Sequence, residues 1–366
     1  MHALKAPSGE YKSILLLRIT CVCWLLSKLI SWRLWTTFRI LPTAPVFEGL
    51  NAMPSTVHSI LFGAAILLMV IACFKGTKPI IIALLITELL SCLLDQNRWQ
   101  PWEYQYIFIF FAFAINRDKP KSIAVIVVLT LASTYFFGGI NKLNPIFLHT
   151  VWGNTLLRFF FENHPRIWHL HWLYYGGYLI GILEIIAGLG LLYGKTQTKS
   201  AVFLIAMHVG ILVLFSPAAL NINQVILPWN IALLLYLYVI FLRDKIKLPL
   251  YESVVFKWNK LFILFWVILP ALSFVGFWDK ALSSNLYSGR LPQMIVYINN
   301  VDACKELQPF YFKKERPRGA KLNMLNWAFI ETNTPGYMDI RVYNIIKKKL
   351  IAKYRGAGFK FVYLNN

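Results

Sequence analysis

The chain has 366 residues, of which 58% are hydrophobic and only 14% charged. Soluble domains carry roughly 25% charged residues, so this composition excludes an ordinary water-soluble enzyme, a disordered chain and a small disulfide scaffold. Lys and Arg number 37 against 16 Asp and Glu. In so apolar a chain that excess is read first as loop charge on a membrane protein, not as a nucleic-acid surface.

A bilayer core about 30 Å thick takes about 20 apolar residues per helix. In chain order the apolar runs are 13–32, 50–74, 79–94, 104–116, 122–141, 167–193, 200–242 and 261–278. The run 200–242 holds two spans, separated by the polar turn 216–224. The expected count is therefore about nine. The first run contains Arg18 and Lys28 and reads equally as an interfacial helix or signal anchor. Residues 146–161 are amphipathic and Phe-rich and are expected to lie along the interface.

The segments before span one and after spans two, four, six and eight hold 14 Lys and Arg, against six in the opposite loops. The positive-inside rule then puts the N-terminus in the cytoplasm and the tail outside it. The expected fold is an all-α polytopic membrane bundle over 1–278 with a small α+β extramembrane domain over 279–366. In that domain, alternation predicts strands at 293–299, 325–332 and 359–364. Helical spacing predicts a helix over 339–354, and 313–321 reads as a basic loop.

Several residues carry chemistry the bundle does not need for burial. Glu88, Glu184 and His208 lie inside apolar runs and are either functional groups or packing residues bonded between helices. Asp95 and Arg98 are expected to pair across a turn beside Trp99 and Trp102; the same stretch also reads as an aromatic belt. Lys142 follows Gly138 and Gly139, which permit close backbone approach. It is either a base in a partly apolar site or a lysine reaching for headgroups. Asn221, Asn223, Gln224 and Asn230 supply amides around the outer turn. His164, His169 and His171 read as an interfacial loop, and the five cysteines have no ligand spacing, so no metal is expected. By topology, Asp95–Glu103, Lys142 and the amides share one side, where one cavity would collect them.

At these residues the chain resembles the membrane domain of vitamin K-dependent gamma-carboxylases and of bacterial horizontally transferred transmembrane (HTTM) proteins, DoxX-like in general appearance. The resemblance covers about 10–290. It rests on Asp95 to Tyr104, on Gly-Ile-Asn-Lys-Leu-Asn at 139–144, on His208 before the Asn223 turn, and on Leu-Tyr-Ser-Gly at 286–289. Trp327, Glu331, Pro335, Tyr337 and Arg341 extend it loosely into the tail. It implies nine helices, an extracytoplasmic C-terminal domain, and Lys142 as the base towards a reduced quinone. In the carboxylases the oxygenated quinone then yields the strong base that deprotonates a peptide glutamate, which captures carbon dioxide. This chain departs from that pattern: Trp102 stands where the carboxylases have a functional histidine, and fewer than 90 residues replace their large peptide-binding region.

Two readings follow. The first is a quinone- or lipid-binding membrane enzyme that modifies or matures a peptide or protein. Lys142 and His208 would be catalytic, and Asp95, Arg98, Trp99, Trp102, Asn223, Gln224 and Glu184 would bind a quinone or other isoprenoid lipid. The second is a non-catalytic subunit that assists a partner docked on the tail. Membrane lipids are expected partners, nucleic acid is not, and the resemblance points to a bacterial cytoplasmic membrane. A transporter fits least, because no inverted repeat is evident.

Overall fold

The computed structural model describes residues 8–162, 170–243, 250–315 and 319–364. Among these, seven helices are long and apolar enough to cross a membrane. They are α1 (Ser8–Ile30, apolar from Ser13), α2 (Ser55–Phe74), α5 (Pro120–Lys142), α6 (His171–Gly190), α7 (Gln197–Phe215), α8 (Ile226–Arg243) and α9 (Lys257–Val275). Such a set marks a multi-pass membrane protein. Two shorter apolar helices complete the bundle, α3 (Lys78–Leu94, 17 residues) and α4 (Pro101–Ile115, 15 residues). Both start at a proline in the first turn, where its fixed φ is pre-organised for the helix. The outward faces are apolar: Leu67, Phe74, Ile186 and Val213 are all exposed.

Helix α5 is the axis of the bundle. Of its span window 78% is buried, against 22–28% for α2, α6, α7 and α9. It packs on α1, α4, α6 and α9. Its contact with α6 is the most extensive among the described helices, and glycines let the two backbones touch. A Cβ on Gly139 would lie 2.5 Å from the Gly181 carbonyl oxygen, and one on Gly181 would lie 2.7 Å from the Gly139 carbonyl oxygen. Farther along, Gly188 meets the Ala132 carbonyl and the Phe136 amide. Small residues are the usual way membrane helices bring their backbones together.

The segment after α5 stays helical and is not among the helices long and apolar enough to span. Asn144 caps it by accepting from the Phe147 amide at 2.9 Å, and Leu148–Leu157 then widens to π-helical hydrogen bonding. Residues His164 and His169 lie outside the described residues, as do 244–249 and 316–318.

The C-terminal domain is an antiparallel sheet of order β2-β3-β1-β4 with two helices on it. Its strands are β1 (Gln293–Ile298), β2 (Tyr311–Glu315), β3 (Gly319–Asn323) and β4 (Phe359–Leu364). Met294, Val296 and Ile298 alternate into its core, the period expected of a half-buried strand. Its helix α11 (Ile340–Lys353) buries Val342, Tyr343, Ile346 and Leu350. Two expectations are corrected. Residues 325–332 are not a strand but part of helix α10 (Met324–Thr332). Asn323 accepts from the amides of Leu325 and Asn326, an N-cap that starts a helix. The buried set Met324, Trp327, Ala328, Glu331 and Thr332 repeats at three and four, not two. Likewise, the stretch 313–321 is not one basic loop: strand residues of β2 and β3 occupy both its ends.

Candidate functional site

A cavity of about 750 Å³ lies beside α5, walled by α6, α7, α8, the π-helical segment and the 282–293 stretch. Leu325, Phe329, Pro335 and Met338 of the C-terminal domain also line it, so the two parts of the chain build it jointly. Volumes of ~300–1,000 Å³ are typical of small-molecule sites. Leu183 on α6 and Phe203, Ala206 and Gly210 on α7 line it while also being exposed. The wall between α6 and α7 is therefore open along the apolar outer face.

Two polar centres break this apolar wall. In the first, Lys142 Nζ lies 2.6 Å from Glu184 Oε2 and donates to the Gly138 carbonyl at 3.4 Å. The Gly139–Gly181 contact sets this meeting by bringing the end of α5 against the middle of α6. Gly138 forms the floor: a Cβ there would stand 3.6 Å from Glu184 Oε2, 3.8 Å from Lys142 Nζ and 3.7 Å from the Ser284 carbonyl oxygen. In the second centre, Tyr135 Oη lies 2.6 Å from His208 Nε2, and His208 Nδ1 lies 2.7 Å from Asn230 Oδ1. Asn230 Nδ2 donates to the Ile226 carbonyl, which leaves Oδ1 to accept. His208 therefore carries its proton on Nδ1, and Nε2 accepts from the tyrosine hydroxyl. Tyr135, Gly138 and Lys142 fall at i, i+3 and i+7, so one face of α5 serves both centres.

Lys142, Glu184 and His208 are thus brought together. The other candidate residues lie elsewhere. Asp95 does not pair with Arg98; its ion pair is with Arg39, whose 39–44 loop returns over the bundle end. Arg98 is fully buried and donates to the carbonyls of Leu34 (3.1 Å), Ser91 (3.0 Å) and Trp35 (2.9 Å), and it meets His58 Nδ1 at 2.8 Å. Burial draws Arg98 down to about 10. Burial alone would raise the Asp95 carboxyl, but Arg39, Arg98 and the Ala44 amide outweigh it and hold it below its ordinary value. Trp102 packs edge-on against Trp35 and Tyr106, away from the cavity, and Trp99 borders a much smaller crevice. Asn223 supports the wall by donating to the Tyr287 hydroxyl at 2.5 Å, while the Gln224 side chain donates to Asn221 Oδ1 at 2.5 Å. The tryptophans in the wall are instead Trp229, held by Gln105 at 2.6 Å, and Trp266.

Asp95, Asn97, Gln100, Lys142 and Asn223 do share one end of the bundle. Gln100 donates to the Pro335 carbonyl at 2.7 Å, Asn97 accepts from the Tyr337 amide at 3.1 Å, and Glu331 accepts from the amides of Ile40 and Leu41. That is the end carrying the C-terminal domain. Tyr135 was not anticipated; its position seven residues before Lys142 was the available signal. Among the described residues, no group of three or more His, Cys, Asp or Glu is placed to hold a metal.

Compared with protein-family models, with curated proteins and with solved structures, the chain finds no match. Its function is therefore argued from the cavity.

Proposed function

We propose that the chain is a nine-span membrane protein, with α3 and α4 as two short spans, that binds a lipid-soluble molecule in this cavity and moves a proton on it. The observation that carries the reading is the Lys142–Glu184 pair, 2.6 Å apart in the wall of a 750 Å³ apolar cavity. Ionisable side chains at membrane depth are costly and mark functional pathways. A dry wall strengthens their action on whatever they face. The HTTM and gamma-carboxylase resemblance adds Lys142 as base and a quinone or other isoprenoid lipid as occupant. The residues fit such a molecule: Trp229 and Trp266 offer flat apolar surface. A quinone, when bound, supplies redox chemistry. The chain's own part is to seat it under the C-terminal domain, to exclude water, and to give or take a proton at Lys142 Nζ with Glu184 as the counter-charge. Tyr135 with His208 is a second proton-bearing group on the same wall. In this reading the N-terminus is cytoplasmic, the C-terminal domain lies outside a bacterial cytoplasmic membrane, and a peptide or protein is the final substrate.

The test is oxidation of a reduced lipid quinone by dissolved oxygen, the electron acceptor, in the presence of purified protein, followed by its ultraviolet spectrum. Wild type should consume it, and Lys142→Ala and Glu184→Gln should not while melting as wild type does. No consumption by wild type removes the enzymatic reading. A non-catalytic subunit would then be favoured by the exposed basic face of α11, where Lys348 is 80% exposed, and a stoichiometric partner should co-purify through it.

A further inference from the structure

The sheet order β2-β3-β1-β4 leaves two edge strands. An edge strand carries a row of backbone N–H and C=O groups without a ladder partner, and proteins blunt such edges with charge, bulges or short strands. Strand β2 is blunted in this way: its pairing with β3 shifts register between Tyr311 and Lys313, and its sequence is Tyr-Phe-Lys-Lys-Glu. Strand β4 is not. Its residues Phe-Lys-Phe-Val-Tyr-Leu pair with β1 in unbroken register, from Phe359 opposite Ile298 to Leu364 opposite Gln293. Aromatic and β-branched residues of this kind suit a strand. Among the described residues, no strand pairs with its far side.

The two faces of that edge differ. Phe359, Phe361 and Tyr363 lie on the core side, opposite the buried Ile298, Val296 and Met294. They pack against the core and yet stay half-buried at the edge. On the other face Lys360, Val362 and Leu364 lie opposite Tyr297, Ile295 and Gln293. Lys360 is exposed and has no ion-pair partner among the described residues. A second ammonium, Lys347 Nζ on α11, stands 5.4 Å from the Phe361 ring centroid.

Charge decides between two occupants. Residues 279–366 hold 15 Lys and Arg against six Asp and Glu. A second copy paired along β4 would press two such basic domains together, and like charges repel. An acidic chain meets the same edge with attraction.

We infer that β4 is a docking edge for an extended acidic segment of a partner protein, which adds to the sheet as a fifth strand. Its backbone pairs with the free edge. Apolar residues at every second position cover Phe359, Phe361 and Tyr363, and the acidic residues between them face Lys360. Leu364 stands opposite Gln293, which lines the cavity. With strands about 4.8 Å apart, one end of the added strand passes about 10 Å from the cavity rim. The docking stands on the sheet alone, whatever the cavity holds.

Three fluorescein-labelled octapeptides test it by fluorescence anisotropy on full-length protein in detergent. One alternates Val and Glu, one alternates Val and Lys, and the third is the Val–Glu peptide N-methylated throughout, which keeps the charge but donates no backbone hydrogen bond. The Val–Glu peptide should bind about tenfold or more tighter than either other and should slow amide hydrogen exchange across 359–364. Lys360→Glu should weaken it about fivefold at an unchanged melting temperature, and Lys347→Glu serves if Lys360→Glu does not fold. Equal binding of the Val–Lys or N-methylated peptide, no binding by any, unslowed exchange across 359–364, or binding that both variants leave unchanged overturns the inference and leaves the cavity reading untouched. A dimer in analytical ultracentrifugation that Val362→Lys splits would put a second copy on β4 and overturn it equally.

Discussion

Lys28 Nζ lies 2.5 Å from Glu88 Oε2, and both side chains are completely buried between α1 and α3. Glu103 on α4 accepts from the same ammonium at 3.2 Å and from Trp24 Nε1 at 2.7 Å. The Trp35 ring centroid is 2.9 Å from Nζ, and the Trp35 carbonyl accepts from Arg98. This cluster sets one ammonium against two carboxyl groups, and in the neighbouring set Asp95 pairs with Arg39 beside Arg98. Breaking such a set by removing one member is expensive, whereas replacing it whole by neutral groups often is not.

Lys28→Met should therefore destabilise the protein by about 3–5 kcal/mol, because it leaves two carboxylates facing each other. Adding Glu88→Gln and Glu103→Gln should recover most of the loss. Thermal unfolding in detergent checks both. An unchanged midpoint in Lys28→Met would show that the cluster is not ionised as drawn.

Gly139→Ala should cost about 1–3 kcal/mol or more, since its methyl would meet the Gly181 carbonyl and the Ile185 amide, which are backbone atoms. Gly63 on α2 is the internal control. Nothing lies within 4 Å of a Cβ there, so Gly63→Ala should be neutral or stabilising by up to about 1 kcal/mol. Equal melting of the two variants would contradict the close α5–α6 approach.

Asp95 sets an acid limit. Its folded-state value is held below that of an unfolded aspartate, so its stabilisation is complete above the unfolded value and is lost as pH falls through the folded one. Wild type should lose stability across that acid range, and Asp95→Asn should be less stable at neutral pH with a flatter acid dependence. Parallel pH profiles of the two melting curves would count against the Arg39–Asp95 pair.

Glu331 fastens the C-terminal domain over the cavity. It accepts from the amides of Ile40 and Leu41 and from Trp327 Nε1 at 2.8 Å. Glu331→Gln keeps the size and removes the charge, which should cost about 1.5–3 kcal/mol and expose the 39–44 loop to protease. Unaltered cleavage kinetics would mean that Glu331 does not hold the domain down.

The sequence made some of this legible. Apolar runs marked the helices, Gly138 and Gly139 announced a close approach, and Glu184 and His208 stood out as polar groups in apolar surroundings. Lys142 was visible at the end of its run, but its ion-pair partner was not, because it lies 42 residues farther along the chain. Asp95 and Arg98 looked like partners since they are three apart. The loop 39–44 folds back and supplies Arg39 instead, a non-local choice that no local spacing encodes. Lys28 read as a defect in span one for the same reason: its two carboxylates are 60 and 75 residues away. Residues 325–332 alternate weakly and also fit a helix, and the Asn323 cap decides between the two.

The most direct test of the cavity is native mass spectrometry of the purified protein, wild type against Gly138→Leu. A Cβ at Gly138 makes only ordinary contacts, beside Glu184 Oε2 and Lys142 Nζ, so a larger side chain there starts without a clash at the Lys142–Glu184 pair. Wild type should retain a small lipid-soluble molecule that Gly138→Leu releases at an unchanged melting temperature. A wild-type protein that carries nothing, or a variant that keeps the same molecule equally well, would contradict the account.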